Sequence, residues 1–447
     1  MRLVLLFVLT ATAAWSRPVL LISLDGVRPD FVTRADVRGL KVPNLRRFLT
    51  EGTYAESVTG VVPTVTYPSH TTLMTGVWPA QHGILSNGAF DPLQTNMGGW
   101  NWYANDIRAP TLWEAADRAG IATASVFWSV SVAAPGVRYL IPEFWRAHTS
   151  DDLKLLRALG RPENLIPNLE AKLGPLLGLG IDTLETDENH ARFALEILQT
   201  KKPGFMTVHL TCFDGYAHDH GPFSKEALAA VEALDGMVGR LRDAALAIDP
   251  ATVVVVVSDH GFSETRRRFN WKIPFVEAGL LTLKPPAIPG DKPGLADWQA
   301  TLWTGGGLAA VMLKDPADRL VQAKVKSLLE TLKADPKNGI ARVLGAEEAK
   351  KLGGFPDAAF LLELEPDCQF GGALSGAVVV PAPSTGMHGY LPDRPEMRAC
   401  FFAMGKGIAA GRNLGVVDMR QIAPTVAAML GVNLPTAKEP KLKVEQK

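Results

Sequence analysis

The chain has 447 residues, with 46 Lys+Arg against 46 Asp+Glu, 47% hydrophobic residues and three cysteines. That length suits one large α/β domain with an insertion, or two to three ordinary domains. The apolar fraction excludes wholesale disorder, neutrality argues against a nucleic-acid coat or a polybasic membrane binder, and three cysteines cannot build a disulfide-rich scaffold.

At the N-terminus, Arg2 precedes an apolar run from Leu3 to Thr10 and a small-residue stretch from Ala11 to Ser16 broken by Trp15. The run is too short to span a bilayer. Residues 1–16 therefore read as a secretory signal peptide, and the mature protein is expected to be secreted or periplasmic. No other stretch is apolar and long enough for stable membrane insertion. Export implies an oxidising compartment. Of Cys212, Cys368 and Cys400, only Cys368 with Cys400 is considered as a pair.

Val19 to Leu24 is a continuous apolar run that stops at Asp25-Gly26. Gly204 to Leu210 is a second, followed closely by Asp214, and Thr252 to Val257 is a third, ending at Ser258-Asp259-His260-Gly261. Such runs predict strands buried on both faces of a largely parallel sheet. Helical patterns lie between them at Glu188 to Gln199 and Lys225 to Ala247. The predicted fold is an α/β/α sandwich of three layers. Residues 17–264 form the first part of its core, 265–384 an inserted subdomain richer in Pro and Gly, 385–434 the last part of the core, and 435–447 a flexible, charged tail. Within these, Asp315 to Leu332 and Val417 to Leu430 read as helices and Arg398 to Met404 as a strand.

In open α/β sheets, ligands bind beyond the carboxyl ends of the strands. The acids and histidines at those positions are Asp25, Asp214, His218, Asp259 and His260, joined by His388 from a late loop. Three Asp and three His form a mixed O/N set that suits zinc, and suits manganese, iron or cobalt less well. Six ligands exceed one tetrahedral ion but fit two ions with positions left for substrate, the arrangement used for displacement at phosphorus. Thr66 precedes Tyr67-Pro68 at a predicted helix start, where a hydroxyl meets the positive end of the helix dipole. A metal on that oxygen would make it a nucleophile.

Asp25-Gly26, the segment from Pro63 to His70, the Thr75-Gly76 and Pro79 to Ile84 stretches, Asp214 with His218, Ser258 to Gly261 and His388 to Tyr390 occur in family order. On these motifs the chain resembles the nucleotide pyrophosphatase/phosphodiesterase family of the alkaline phosphatase superfamily, over roughly Pro18 to Leu434. The resemblance implies that Thr66 attacks phosphorus and forms a covalent intermediate. It implies one zinc on Asp25, Asp259, His260 and Thr66, and a second on Asp214, His218 and His388. It makes Asn87 a donor to a phosphoryl oxygen, an oxyanion-hole role. Tyr67, the aromatic neighbour of the nucleophile, and Trp128 are expected to line the substrate pocket.

Monoesterases that resemble this chain carry a Lys-x-Arg pair; the corresponding stretch here, Ser125 to Gly136, has no Lys or Arg. The expected substrate is therefore a small phosphodiester or nucleotide. A phosphomonoesterase or a phosphonate hydrolase resembling phosphonoacetate hydrolase is the alternative on the same scaffold, and a catalytically inactive binding protein is the alternative from another class. The Arg266-Arg267-Arg268 run reads as a solvated face of the insertion, or else as a contact for a distal phosphate.

Overall fold

The computed structural model describes residues 17–96, 99–146, 150–177, 180, 182–286 and 293–446. The expected signal peptide, residues 1–16, lies outside these. In chain order, the elements that build the site begin with β1 (Val19–Leu24), β2 (Thr53–Tyr54), α1 (Thr66–Thr75), β3 (Thr123–Val126) and β4 (Tyr139–Ile141). Next come α2 (Leu184–Lys201), β5 (Phe205–Leu210), α3 (Cys212–His220), α4 (Lys225–Ile248) and β6 (Val253–Val257). The insertion contributes β7 (Ser263–Asn270), β8 (Ala300–Gly305), β9 (Leu308–Leu313), α5 (Arg319–Ala334), β10 (Ile340–Gly345), β11 (Phe360–Leu364), β12 (Cys368–Gly371) and β13 (Val379–Met387). β14 (Phe401–Gly405), β15 (Arg412–Asn413) and α6 (Ile422–Leu430) complete the core.

The central sheet has the order β15-β2-β14-β6-β1-β5-β3-β4. β14 runs antiparallel to both its neighbours, and the other neighbouring pairs are parallel. Its strands bury both faces. Leu20, Ile22 and Leu24 of β1 enter one hydrophobic cluster, while Val19 and Leu21 enter the other. This alternation, with helices covering each face, explains why the strands read as unbroken apolar runs. The fold is the α/β sandwich with a mostly parallel sheet that the sequence predicts.

The insertion builds a second sheet, β8-β9-β11-β10, antiparallel throughout. It has its own apolar cluster, which includes Phe269, Val311, Leu329 and Leu362. β7 pairs with β12 and with β13, and β13 carries the chain back to the core. α5 starts later than expected because the Asp318 side chain caps it, accepting from the backbone N–H groups of Leu320 and Val321.

Three readings need correction. The tail is not frayed: Leu442 and Val444 are buried, and Glu445 bridges to Ile408. Thr425 Oγ1 accepts from the Leu442 N–H, and Thr53 Oγ1 donates to carbonyls of Ala409 and Val444, so two apolar side chains in a charged segment suffice to anchor it. The helix expected from Val417 is confined to α6, because Val416–Asp418 pairs in parallel with Ser57–Thr59 and leaves the helix to begin at Ile422. The three cysteines are free and buried, so the considered Cys368–Cys400 pair does not form. Cys400 sits in a core cluster below the sheet and Cys368 in the cluster of the insertion.

Candidate active site

The register aligns β1 with β5 at Leu24↔Leu210 and with β6 at Ser23↔Val257. Asp25 leaves the end of β1, Asp214 sits in the first turn of α3 just past β5, and Asp259-His260 follows β6. Three neighbouring strand ends thus deliver their acids to one spot. Thr66 is the first residue of α1, and its Oγ1 lies 3.4 Å from His260 Nε2. His388 follows β13 directly, so the insertion sets its position. Gly306, at φ +75°, makes this approach possible, because a Cβ there would lie 2.1 Å from the His388 carbonyl oxygen.

All three histidines turn the same way. His218 Nδ1 donates to the Gly386 carbonyl at 3.1 Å, His260 Nδ1 to Gly261 at 3.1 Å and His388 Nδ1 to Thr64 at 3.1 Å. Each donation leaves the Nε2 lone pair for the site, the orientation typical of metal-bound histidine. The Nε2 atoms of His218 and His388 face each other at 3.2 Å. Two acceptors that close need a cation between them. Burial pushes both imidazoles below the usual histidine range, which keeps their lone pairs free.

The carboxylates carry the same mark. Asp25 Oδ1, Asp214 Oδ1 and Asp259 Oδ2 are buried and have no hydrogen-bond partner. Burial, reinforced by Asp259 and Asp214, pushes Asp25 well above the carboxylate range, and burial raises Asp214 to about 7. Burial would raise Asp259 too, but the facing His260, His70 and His209 hold it below its usual value. Ligand atoms of Asp214, His218 and His388 lie within 4.8 Å of one another, as do those of Asp25, Asp214 and His260. Asp259 Oδ2 is 3.1 Å from His260 Nε2. The residues present therefore fit two cations, by donor chemistry and by unpartnered oxygens.

Asn87 Oδ1 accepts from the Tyr67 backbone N–H at 2.9 Å, which fixes the Asn87 amide beside the residue that follows Thr66. The two expected aromatic walls do not serve as such. Tyr67 and Trp128 are both fully buried. The Tyr67 hydroxyl donates to Glu143 and its ring packs edge-on against Trp100, while Trp128 packs edge-on against His70. Their large apolar surfaces are used inside the fold. Of the arginine run, Arg266 pairs with Glu264 and Arg267 with Asp367.

Three residues escaped sequence reasoning. His209, within β5, places Nε2 3.0 Å from Asp25 Oδ2 and Nδ1 3.1 Å from the Phe127 carbonyl. Burial alone would lower its pKa, but the hydrogen bonds and charges of Asp25 and Glu143 raise it well above the usual range. Glu143, just past β4, accepts from Tyr67, Ser129 and Trp145. A histidine inside an otherwise apolar strand was the available signal for the first; nothing in the local sequence marks the second. Asp187 of α2 is a third contributor, accepting from the N–H groups of Thr211 and Cys212 and so fixing the start of the helix that carries Asp214.

The family model "Type I phosphodiesterase / nucleotide pyrophosphatase" matches residues 19–361. Ectonucleotide pyrophosphatase/phosphodiesterase family member 1 of Rattus norvegicus is 26% identical over 260 residues, covering 56% of this chain and 24% of that protein. Venom phosphodiesterase 2 of Crotalus adamanteus is 25% identical over 255 residues, covering 55% of this chain and 27% of that protein. The match thus spans about a quarter of the length of these relatives. Among solved structures, an inactive variant of murine ectonucleotide pyrophosphatase/phosphodiesterase 5 in complex with AMP shares the fold at a TM-score of 0.64 and 18% identity, covering 96% of this chain and 97% of that one. Among the described residues, no helix is long and apolar enough to cross a membrane. The chain belongs to the type I phosphodiesterase/nucleotide pyrophosphatase family of the alkaline phosphatase superfamily.

Proposed function

We propose that the chain is an exported, zinc-dependent phosphodiesterase or nucleotide pyrophosphatase that works through a covalent Thr66 intermediate. The observation that carries this reading is the convergence of Thr66 Oγ1, three histidine Nε2 atoms and three unpartnered carboxylate oxygens on one opening. Asp25, Asp259 and His260 would hold one zinc beside Thr66, and Asp214, His218 and His388 the other. Bound there, the two ions would supply Lewis acidity, lower the pKa of the threonine hydroxyl and of a hydrolytic water, and offset charge at phosphorus. Thr66 then attacks phosphorus in line, the alcohol or phosphate leaves, and water cleaves the phosphodiester formed on Thr66, releasing the remaining monoester. The Asn87 amide donates to a phosphoryl oxygen as negative charge grows.

Charge favours a diester. With Thr66 deprotonated for attack, three carboxylates and the alkoxide balance two divalent cations, so no positive charge is left over to hold a monoester's second negative charge. The segment from Ser125 to Gly136 offers no Lys or Arg for a second negative charge. The AMP bound by the murine structural relative fits a nucleotide-sized substrate. The apolar run in residues 1–16 supports export to the periplasm or the medium.

The test is kcat/KM for bis-p-nitrophenyl phosphate over that for p-nitrophenyl phosphate, on zinc-loaded protein, with Thr66→Ala as blank. A ratio well above one that vanishes in the variant is expected. A ratio well below one would favour the monoesterase reading on the same residues. Turnover of neither ester, with cleavage of a phosphonate, would favour the phosphonate hydrolase.

A further inference from the structure

We infer that Glu143 and His209 are positioning residues for the zinc site beside the nucleophile: His209 fixes one oxygen of Asp25 so that the other faces the metal, and Glu143 links this carboxylate to the residue that follows Thr66. The inference rests on the zinc reading above and deepens it.

β5 is buried along its whole length, and an imidazole in such a strand is costly unless its nitrogens are satisfied. Both are. Nε2 holds Asp25 Oδ2 at 3.0 Å, and Nδ1 meets the Phe127 carbonyl at 3.1 Å with Glu143 Oε2 at 3.8 Å. Asp25 Oδ1, the oxygen left without a partner, is 3.4 Å from His260 Nε2. A carboxylate free to rotate would offer either oxygen; this one can offer only Oδ1.

Glu143 joins the two sides of the site. Its Oε1 accepts from the Tyr67 hydroxyl at 2.8 Å and its Oε2 from Ser129 Oγ at 2.6 Å. Tyr67 is the same residue whose N–H holds Asn87. One buried carboxylate thus ties the nucleophile's neighbour to the histidine that orients Asp25. The backbone around it is strained in keeping with this: Phe127 has φ 56° and Val130 φ 57°, a region bulky and β-branched side chains avoid. That conformation aims the Phe127 carbonyl at His209 and the Ser129 hydroxyl at Glu143.

The test is stepwise zinc affinity by chelator competition, with the melting temperature of the metal-free protein as control, for wild type, His209→Leu, His209→Gln and Glu143→Gln. Wild type is expected to bind two zinc ions. His209→Leu should weaken one of the two steps by about 10–100-fold and leave the other unchanged. His209→Gln should restore most of that loss, because its amide can still donate to Asp25. Glu143→Gln should weaken the same step by about threefold to tenfold. Should His209→Leu fail to fold, the two glutamine variants, which keep side-chain volume and hydrogen-bonding capacity, carry the comparison. Two unaltered zinc steps in these variants, or equal weakening of both steps together with a lowered metal-free melting temperature, would overturn the inference. A wild type that binds fewer than two zinc ions overturns the zinc reading and this inference with it.

Discussion

The core and the insertion both bury acids, and they treat them in opposite ways. In the insertion, Glu363 is wholly inaccessible, yet Arg342, Arg394 and the Leu391 N–H all donate to it. At the carboxyl ends of β6, β1 and β5, Asp259, Asp25 and Asp214 each keep a buried oxygen with no donor. The first acid is neutralised by the protein itself and holds β10 and β11 against the segment near Asp393. The others are left for charge that the chain does not contain. Burial of acids therefore does not mark a site here; burial without a donor does.

That contrast can be broken at several points. The largest expected effect is on chemistry: Thr66→Ala should lower diesterase kcat by about 1,000-fold or more while both zinc ions still bind, read by single-turnover assay and metal analysis. Next, Glu363→Ala should destabilise the fold by about 3–5 kcal/mol, because Arg342 and Arg394 lose their buried partner, with zinc affinity retained. Chemical denaturation reads it.

The matching change in the core should go the other way. Asp214 is raised by burial to about 7 from the ordinary 3.8, so the metal-free fold loses stability as pH climbs through that window. Asp214→Asn should remove this loss and raise the metal-free melting temperature at pH 8, while weakening zinc binding sharply. A lower melting temperature at pH 8 would mean that Asp214 is structurally paired after all. Ending the chain after residue 440 should cost about 3 kcal/mol, since Leu442 and Val444 would no longer be buried. The smallest effect is that of Ser224→Ala, which removes the α4 cap on the Ala227 N–H and should cost about 1 kcal/mol.

What could be read in advance depended on how far apart the cooperating residues lie in the chain. Val19–Leu24, Phe205–Leu210 and Val253–Val257 announce themselves because strands covered on both faces must be apolar throughout. The acids that end them were legible for the same reason, as was Thr66 at a helix start. Tyr67 and Trp128 were misread as pocket walls because residue type does not tell whether an aromatic faces solvent; Trp100 and His70 cover them, and both contacts are tertiary.

The sequence by itself determined the parallel sheet and put Asp25, Asp214 and Asp259 close after strand ends and Thr66 at a helix start, since each is a local pattern set by burial and by chain direction. Tertiary structure alone decided which oxygen of Asp25 is free, because that depends on His209 one strand away and Glu143 beyond it. It also decided that two apolar residues in a charged tail would find a groove beside Thr53 and Ile408. Hydrogen bonds between side chains are directional and short, so they form only once the strands have fixed the distances, and no periodicity in the chain records them.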